Sequence, residues 1–298
     1  MPRAYLKRFT PDREHAYVLL KPSNEIIGKP INIRNLCVEK GFYSSYDRYG
    51  ANEVWAETTL ASLEDRIPNW ILPQIPPNLL FPCQNMGRIL DTKQKIALVD
   101  TVLLQFWRGR SARNFFATVD ELYDEILEEA EESLTGGSER GATIALLKKH
   151  KDTRRRNVTV RGPIVALKED ALNYDGIRCN LQNRTCYILI NMTGIDFVTS
   201  DDPVIFYNLR TNRHGLMKCP LADPDSAVFY PLDAKHMVAL YTQESCLGDS
   251  FSALAMILDH TDVRFVREFN LLQYNQCTHC VVAQRKESLE AIRRELKA

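Results

Sequence analysis

The sequence predicts an α+β fold, in which a mainly helical N-terminal half packs on a C-terminal mixed β-sheet. Two observations support this prediction. Residues 93–116 carry apolar side chains nearly all round a helix, which indicates a buried helix. From residue 158 onward the pattern becomes extended, with short runs of β-branched and apolar residues. We expect a single compact domain over residues 1–298, with a possible subdivision into a helical part (1–150) and a β-rich part (151–298).

The elements before the long helix follow from local patterns. Residues 1–10 have apolar side chains spaced for a single helical turn, and residues 16–20 form an apolar run that predicts a strand. Between residues 24 and 42, apolar runs are broken by Gly28 and Pro30, which predicts a strand, a turn and a second strand. We therefore expect these strands to form a small sheet near the N-terminus.

Helical patterns dominate the next hundred residues. Besides the buried helix, residues 52–72 show helical character until several prolines interrupt them. Residues 117–132 form an acidic amphipathic helix, and residues 139–151 form a further helix after a pair of glycines. The C-terminal part then alternates between strands and helices. Its predicted strands are 158–160, 164–167, 186–191, 197–198, 204–207, 227–230, 236–241 and 279–283, and its predicted helices are 251–258, 262–274 and 288–297.

Composition narrows the class of protein. The 298 residues include 38 basic and 38 acidic side chains, so no net charge draws the protein to nucleic acid or to a membrane. No apolar run reaches the length of a membrane span, and we expect no membrane association. The eight cysteines are scattered and follow no secretory leader, which favours reduced thiols and a cytoplasmic location.

The stretch from residue 185 to residue 208 is the centre of the predicted site. Residues 186–191 and 195–198 are apolar and β-branched around a Met-Thr-Gly turn, which predicts a hairpin. The sequence Thr199-Ser200-Asp201-Asp202-Pro203 then places two hydroxyls and two carboxylates at a strand end. Catalytic and binding groups are often found at such an edge. The same residues are also common in ordinary turns, and that alternative stays open.

Two helices supply candidate partners for this strand end. The buried helix carries Gln105, Arg108 and Arg113 near its C-terminal end, and a buried guanidinium needs a carboxylate or an anionic ligand. Glu57 and Glu64 are seven residues apart, so both point from nearly the same face of the preceding helix. They are candidates for acid–base catalysis, and a solvated polar face is the alternative.

A basic block spans the C-terminal end of the helix predicted over residues 139–151 and the residues after it. On this neutral chain, its five clustered cations predict a binding site for a polyanion, with a solvated helix end as the alternative. The residues are Lys148, Lys149, Arg154, Arg155 and Arg156.

Several motifs were considered and set aside. Cys277 and Cys280 have the spacing of zinc ligands, but the sequence contains no second cysteine pair, and we expect neither a metal nor a cofactor. Asp225, Asp233 and Lys235 imitate the carboxylate–carboxylate–lysine pattern of metal-dependent nucleases, with a proline interrupting the strand between them. The loop at residues 210–214 combines arginine with histidine, as many exposed loops do. No phosphate-binding glycine loop or Gly-x-Ser-x-Gly elbow is present.

These segments, in their order along the chain, carry a family resemblance. The opening residues MPRAYLKRF, the helix with Glu57 and Glu64, the Gln105–Arg108 pair and the Thr-Ser-Asp-Asp-Pro strand end resemble the prokaryotic domain-of-unknown-function family 4238. The resemblance spans most of the chain. Family members typically open with a histidine three residues before the proline, which has no counterpart here, so its role is not carried over.

The resemblance implies a site map and a setting rather than a reaction. Genes of this kind look like accessory or antiviral defence genes, which favours an activity on nucleic acid, and on DNA in particular. We expect an enzyme, a hydrolase that removes a base by metal-independent cleavage of an N-glycosidic bond. Asp201, Ser200, Glu57 and Glu64 are the expected catalytic residues, and Thr199, Gln105, Arg108, Arg113 and the basic block are expected to bind the substrate. A phosphodiester nuclease and a non-catalytic nucleic-acid binding or sensor module are the alternatives.

Overall fold

The computed structural model describes residues 3–36, 45–46, 52–53, 88–112, 125, 128–129, 172–215, 218–242 and 253–297. The helices in these ranges are α1 (Arg3–Leu6), α2 (Thr92–Arg108), α3 (Leu172–Gln182), α4 (Val263–Gln276) and α5 (Lys286–Glu295). Short 3₁₀ turns lie at Lys7–Phe9 and Ile33–Asn35.

The described strands are β1 (His15–Leu20), β2 (Glu25–Ile26), β3 (Ile31–Asn32), β4 (Ser45–Tyr46), β5 (Asn52–Glu53), β6 (Arg88–Leu90), β7 (Thr185–Asn191), β8 (Thr199–Ser200), β9 (Ile205–Asn208), β10 (Arg213–His214), β11 (Ser226–Pro231), β12 (His236–Tyr241), β13 (Ala253–Leu258) and β14 (Cys280–Ala283). They form a seven-stranded sheet in the order β10-β9-β11-β12-β7-β13-β6. A five-stranded sheet has the order β2-β1-β14-β8, and its fifth strand, β3, also pairs with β1. A separate ribbon pairs β4 with β5.

The seven-stranded sheet is mixed and buried on both faces. Its neighbours are antiparallel except for β7 and β13, which run parallel. All seven residues of β7 are buried, which explains why its sequence is apolar without alternation. Alternate β7 side chains enter two different cores: Ile188 lies in the core that contains Leu98 and Val102 of α2, and Leu189 lies in the core that contains Phe269 of α4.

The helix α2 begins and ends at identifiable residues. Asp91 accepts a hydrogen bond from the backbone N–H of Gln94 at 2.8 Å, and the Gln94 side chain accepts one from Asp91 N–H, which forms a capping box. Gly109 is extended and ends the helix. The buried Lys95 donates to the carbonyls of Gln182 and Arg184 at 2.7 Å each and so holds the end of α3 against α2.

The predicted division of the chain into a helical half and a β-rich half is wrong, although the fold is α+β. The described N-terminal residues consist mostly of strands, together with the long helix α2 and short helical turns. The reason is that both large sheets take strands from distant parts of the chain. β1 pairs with β14 near the end of the sequence, and β6 pairs with β13. Local patterns do not reveal such pairings.

Three smaller predictions are also corrected. Residues 186–191 and 195–198 do not form a hairpin, because β7 pairs with β12 and β13. Residues 253–258, predicted as helical, form β13, since a short apolar run buried between two strands has no helical signature of its own. The helix α3 was missed, and it packs on α2 through a bidentate pair between Arg178 and Asp100 at 2.8 Å.

Candidate functional site

The strand end at residues 199–203 is held by a ladder of side-chain amides on α4. Asn270, Gln273 and Gln276 are spaced three apart, so they follow one face of the helix. Together they hydrogen-bond to the backbone of the segment between β7 and β9. The contacts are Asn270 with Val198 N–H (3.0 Å) and Asp196 O (2.9 Å), Gln273 with Pro203 O (2.8 Å), and Gln276 with Asp202 O (2.8 Å) and Val204 O (2.6 Å).

The two hydroxyl residues of the strand end are buried and satisfied inside the protein. Ser200 Oγ donates to Gln273 Oε1 at 2.7 Å, and Thr199 Oγ1 lies 2.7 Å from the hydroxyl of Tyr5. Both belong to β8, which pairs with β14. The expectation that these hydroxyls are held at an open rim is therefore wrong.

Asp201 faces the turn after α4. Its two carboxylate oxygens accept hydrogen bonds from the backbone N–H groups of Thr278 at 3.0 Å and His279 at 3.1 Å, and its own N–H donates to Cys280 O. The side chain is partly exposed. The sequence predicts Gln105 and Arg108 of α2 as partners of this strand end, whereas the described contacts of the Asp201 carboxylate are with the turn after α4.

The neighbouring carboxylate makes the contact with α2. Asp202 is 1% exposed, and its Oδ2 accepts a hydrogen bond from Ser111 N–H at 2.8 Å, just beyond the end of the helix. Gly109 permits this approach, because a Cβ atom built at Gly109 would lie 2.2 Å from Asp202 Oδ1. Successive side chains of an extended chain point to opposite sides. This alternation was the sequence signal that Asp201 and Asp202 have different surroundings.

The other predicted site residues are placed only in part. Gln105 is buried on α2, and its Oε1 has no hydrogen-bond partner within the described ranges. Arg108 is described by its backbone alone, at the last position of α2. The remaining predicted residues lie outside the described residues: Glu57, Glu64, Arg113, Lys148, Lys149, Arg154, Arg155 and Arg156.

A lysine from the N-terminal part of the chain lies at the same turn as Asp201. Lys21 follows β1, and its backbone N–H donates to His279 O at 2.9 Å. Its Nζ donates to the carbonyls of Asn275 at 2.6 Å and Cys277 at 2.7 Å, which fixes the ammonium at the C-terminal end of α4. Sequence reasoning missed Lys21, because its partners lie near the other end of the chain.

His214 and Lys218 lie near Lys21. We call the surface formed by Lys21, His214 and Lys218 the cationic surface. Gly215 N–H donates to Phe206 O at 2.8 Å, two residues from the carbonyl of Val204 that binds Gln276. The β10 segment is thereby placed beside the end of α4. Burial lowers the pKa of His214, and the positive charges of Lys218 and Lys21 lower it further. His214 is therefore neutral at pH 7.

A buried polar network lies behind the strand end. The Tyr5 hydroxyl contacts Thr199 and donates to Pro231 O at 2.8 Å, and its ring stacks on Tyr230 with centroids 5.3 Å apart. Burial raises the pKa of Tyr5 and lowers that of Arg8. The terminal nitrogens of Arg8 are buried and have no hydrogen-bond partner in the described part of the chain.

The residues that resemble a nuclease motif, Asp225, Asp233 and Lys235, bind separate partners. Asp225 pairs with Arg210 at 3.0 Å, whereas Lys235 pairs with the buried Asp196 at 2.7 Å. Asp233 accepts hydrogen bonds from the N–H groups of Lys235 and His236 in its own turn. Within the described ranges, no three His, Cys, Asp or Glu side chains are grouped to hold a metal ion, and no helix is long and apolar enough to cross a membrane.

Together these features define an α+β protein in which a partly exposed carboxylate lies beside a cationic surface at the joint between two sheets. The chain belongs to the family described as "Protein of unknown function (DUF4238)", whose model matches residues 1–287. This match confirms the resemblance found in the sequence. Comparison with curated proteins and with solved structures gives no match for the chain.

Proposed function

We propose that the protein is a nucleic-acid-directed hydrolase of a prokaryotic defence or accessory type, which removes bases from DNA by cleaving the N-glycosidic bond. The observation that supports it best is the position of Asp201. Its side chain is partly exposed and its carboxylate is fixed by two backbone N–H groups, and the ammonium of Lys21 binds two carbonyls just before that turn. A cytoplasmic location follows from this choice of substrate.

The charges of the site suit a sugar between two phosphates. Cleavage of a glycosidic bond passes through a transition state with positive charge on the sugar, which a carboxylate stabilises. The phosphates on either side of that sugar are negative, and lysine side chains bind them. Asp201 and Lys21 provide these two opposite charges at one turn, whereas Lys218 adds a cation on the neighbouring segment.

The proposed reaction needs the target base to be reachable. The nucleotide would be extruded from a duplex or taken from a single strand, as in other enzymes that act on bases. Water then attacks the anomeric carbon while the bond to the base breaks. Asp201 orients this water and accepts its proton, and the departing base is protonated from solvent. The hydrogen bonds from Thr278 and His279 hold the carboxylate in one orientation.

The test compares Asp201→Asn with the unaltered protein on modified and unmodified phage DNA, with and without chelator. Abasic sites are measured by alkaline cleavage, and strand breaks are measured without alkali. We expect abasic sites from the unaltered protein and roughly 10²- to 10⁴-fold fewer from Asp201→Asn, as for a lost acid–base group. Strand breaks without abasic sites would instead indicate phosphodiester cleavage.

Asp12→Asn is the matched control. Asp12 also accepts hydrogen bonds from two backbone N–H groups, those of Glu14 at 2.8 Å and His15 at 2.6 Å. It lies before the start of β1, whereas Lys21 follows the end of that strand. We expect Asp12→Asn to keep its activity. Full activity of Asp201→Asn together with a lowered melting temperature would remove Asp201 from the site.

A specific observation favours a second candidate, a non-catalytic nucleic-acid binding or sensor module. The side chains of Thr199, Ser200 and Asp201 all have hydrogen-bond partners inside the protein. In this alternative the strand end has a structural role, and the cationic surface alone contacts nucleic acid. Binding of DNA with no product in either assay would support the module.

A further inference from the structure

Three basic side chains from separate parts of the chain lie near enough for the charges of Lys21 and Lys218 to act on His214. Lys21 comes from the end of β1, His214 from β10, and Lys218 from the turn that follows. The backbone brings them together. Gln276 at the end of α4 donates to Val204 O, which lies just before β9, and β9 pairs with β10 through Tyr207 and His214.

The geometry of Lys21 leaves it suited to a further anionic partner. An ammonium has three donor hydrogens, and two of them are used by the carbonyls of Asn275 and Cys277. Carbonyl oxygens carry only partial charge, so the full positive charge of Lys21 is not neutralised by them. The Tyr274 ring lies 5.7 Å from Nζ and offers a weaker contact.

The segment that carries His214 and Lys218 is held in place. Cys219 N–H and Lys218 N–H both donate to Gly215 O at 3.0 Å, and Cys219 Sγ donates to Arg213 O. Gly215 has a φ of 95°, which favours glycine at this turn. Lys218 is exposed.

We propose that Lys21, His214 and Lys218 form a binding site for a phosphate group. The chemical class is a phosphodiester or phosphomonoester. The identification of nucleic acid as its source rests on the proposed function, whereas the phosphate site itself does not.

Binding of a phosphate at this site should also favour protonation of the His214 imidazole. Without a ligand, two neighbouring lysines and partial burial disfavour the charged imidazolium of His214. A bound phosphate reverses this balance because its negative charge favours the imidazolium. Carboxylates also lie on the elements packed around this surface: Asp201 at the α4 turn, Asp223 near Cys219 and Glu268 near Tyr207.

The experiment follows the imidazole of His214 by NMR over a pH series, with its signal assigned from His214→Gln. Three probes are compared: inorganic phosphate, a thymidine mononucleotide and a ten-residue single-stranded thymidine oligonucleotide. We expect the pKa of His214 to lie below its usual value without a probe, and to rise by about one pH unit or more when a phosphate binds. A response to the oligonucleotide alone identifies nucleic acid as the ligand, and a response to all three identifies a general phosphate site.

Lys218→Gln tests the same site without disturbing the end of α4, which Lys21 helps to hold. We expect weaker oligonucleotide binding, with the slope of log affinity against log salt reduced by about 0.7, the contribution of one phosphate contact to a single strand. Lys7→Gln removes an exposed lysine from the 3₁₀ turn before β1 and serves as the control. No change in the pKa of His214 with any probe, or an unchanged slope for Lys218→Gln, would overturn the inference.

The two proposals can fail separately. If abasic sites form but the pKa of His214 does not change with any probe, the proposed hydrolase activity is supported and the phosphate site is wrong. If His214 responds and no abasic sites form, the phosphate site stands and the hydrolase is wrong.

Discussion

At the scale of single residues, two adjacent carboxylates have opposite surroundings. Asp201 is partly exposed and bonded to a turn, whereas Asp202 is buried and bonded to Ser111 N–H beyond α2. Asp201 is available to a ligand, and Asp202 positions the strand end against the helix. The neutral residues Thr199 and Ser200 also position the strand end, because their buried hydroxyls hydrogen-bond to Tyr5 and Gln273.

Arg8 gives a stability prediction at this scale. Its terminal guanidinium nitrogens are buried and have no hydrogen-bond partner among the described residues, and burial lowers the pKa of Arg8 although the nearby Asp233 opposes this shift. We expect Arg8→Met to raise the free energy of unfolding by about 1 to 4 kcal/mol. Urea denaturation measures this change.

Arg34→Met is the control for Arg8, since Arg34 is an exposed arginine in the second 3₁₀ turn. Surface substitutions of this kind usually change stability by less than about 0.5 kcal/mol. A loss of stability in Arg8→Met would show that the charge of Arg8 has a stabilising role in the network of Tyr5 and Tyr230.

At the scale of elements, α4 acts as a substitute for a neighbouring strand. Residues 196–204 need partners for their backbone groups, and β14 pairs only with part of them. The amides of Asn270, Gln273 and Gln276 satisfy much of the remainder. This arrangement fixes the segment between the two sheets and with it the position of Asp201.

Gln273→Met tests the ladder. Methionine has a similar volume and cannot hydrogen-bond to the carbonyl of Pro203 or accept from the Ser200 hydroxyl. Leaving these two buried groups unsatisfied should lower the free energy of unfolding by about 2 to 4 kcal/mol. Thermal and urea denaturation provide the measurement.

Asn275→Met is the matched control on the same helix. Asn275 is exposed, and its backbone carbonyl accepts a hydrogen bond from Lys21 Nζ. We expect a change within about 0.5 kcal/mol. Equal losses in Gln273→Met and Asn275→Met would mean that the amide ladder contributes nothing beyond the helix itself.

At the scale of the whole molecule, the charges of the chain sum to zero, with 38 basic and 38 acidic residues. Attraction to a polyanion must therefore come from local surfaces rather than from the overall field. The surface around Lys21 and Lys218 is one candidate, and the basic block, which lies outside the described residues, is a second.

The basic block gives the prediction at this scale. We replace Lys148, Lys149, Arg154, Arg155 and Arg156 with Gln and titrate DNA at two ionic strengths. If these residues contact phosphates, affinity falls and its salt dependence weakens, because fewer counterions are released on binding. Unchanged affinity and unchanged slope would assign the block to a solvated surface.

Local sequence patterns predicted the elements that carry their own signal. The strand at His236–Tyr241 was predicted with its observed bounds, and α2, α4 and α5 were predicted to within a few residues apart from the C-terminal end of α2. The family was also accessible, since the Thr-Ser-Asp-Asp-Pro segment and its companions stand in the sequence. Each of these depends on residues close together in the chain.

The tertiary structure alone decided how the parts meet. The pairing of β1 with β14, the placement of Lys21 at the turn after α4, and the choice of Asp202 rather than Asp201 to face α2 join residues far apart in sequence. Periodicity reports which side chains an element buries and carries no information on which distant element covers them. The sequence thus determined those helices and strands whose local pattern is distinctive and the residues that are chemically suited to a site, and long-range packing decided which distant residues lie together.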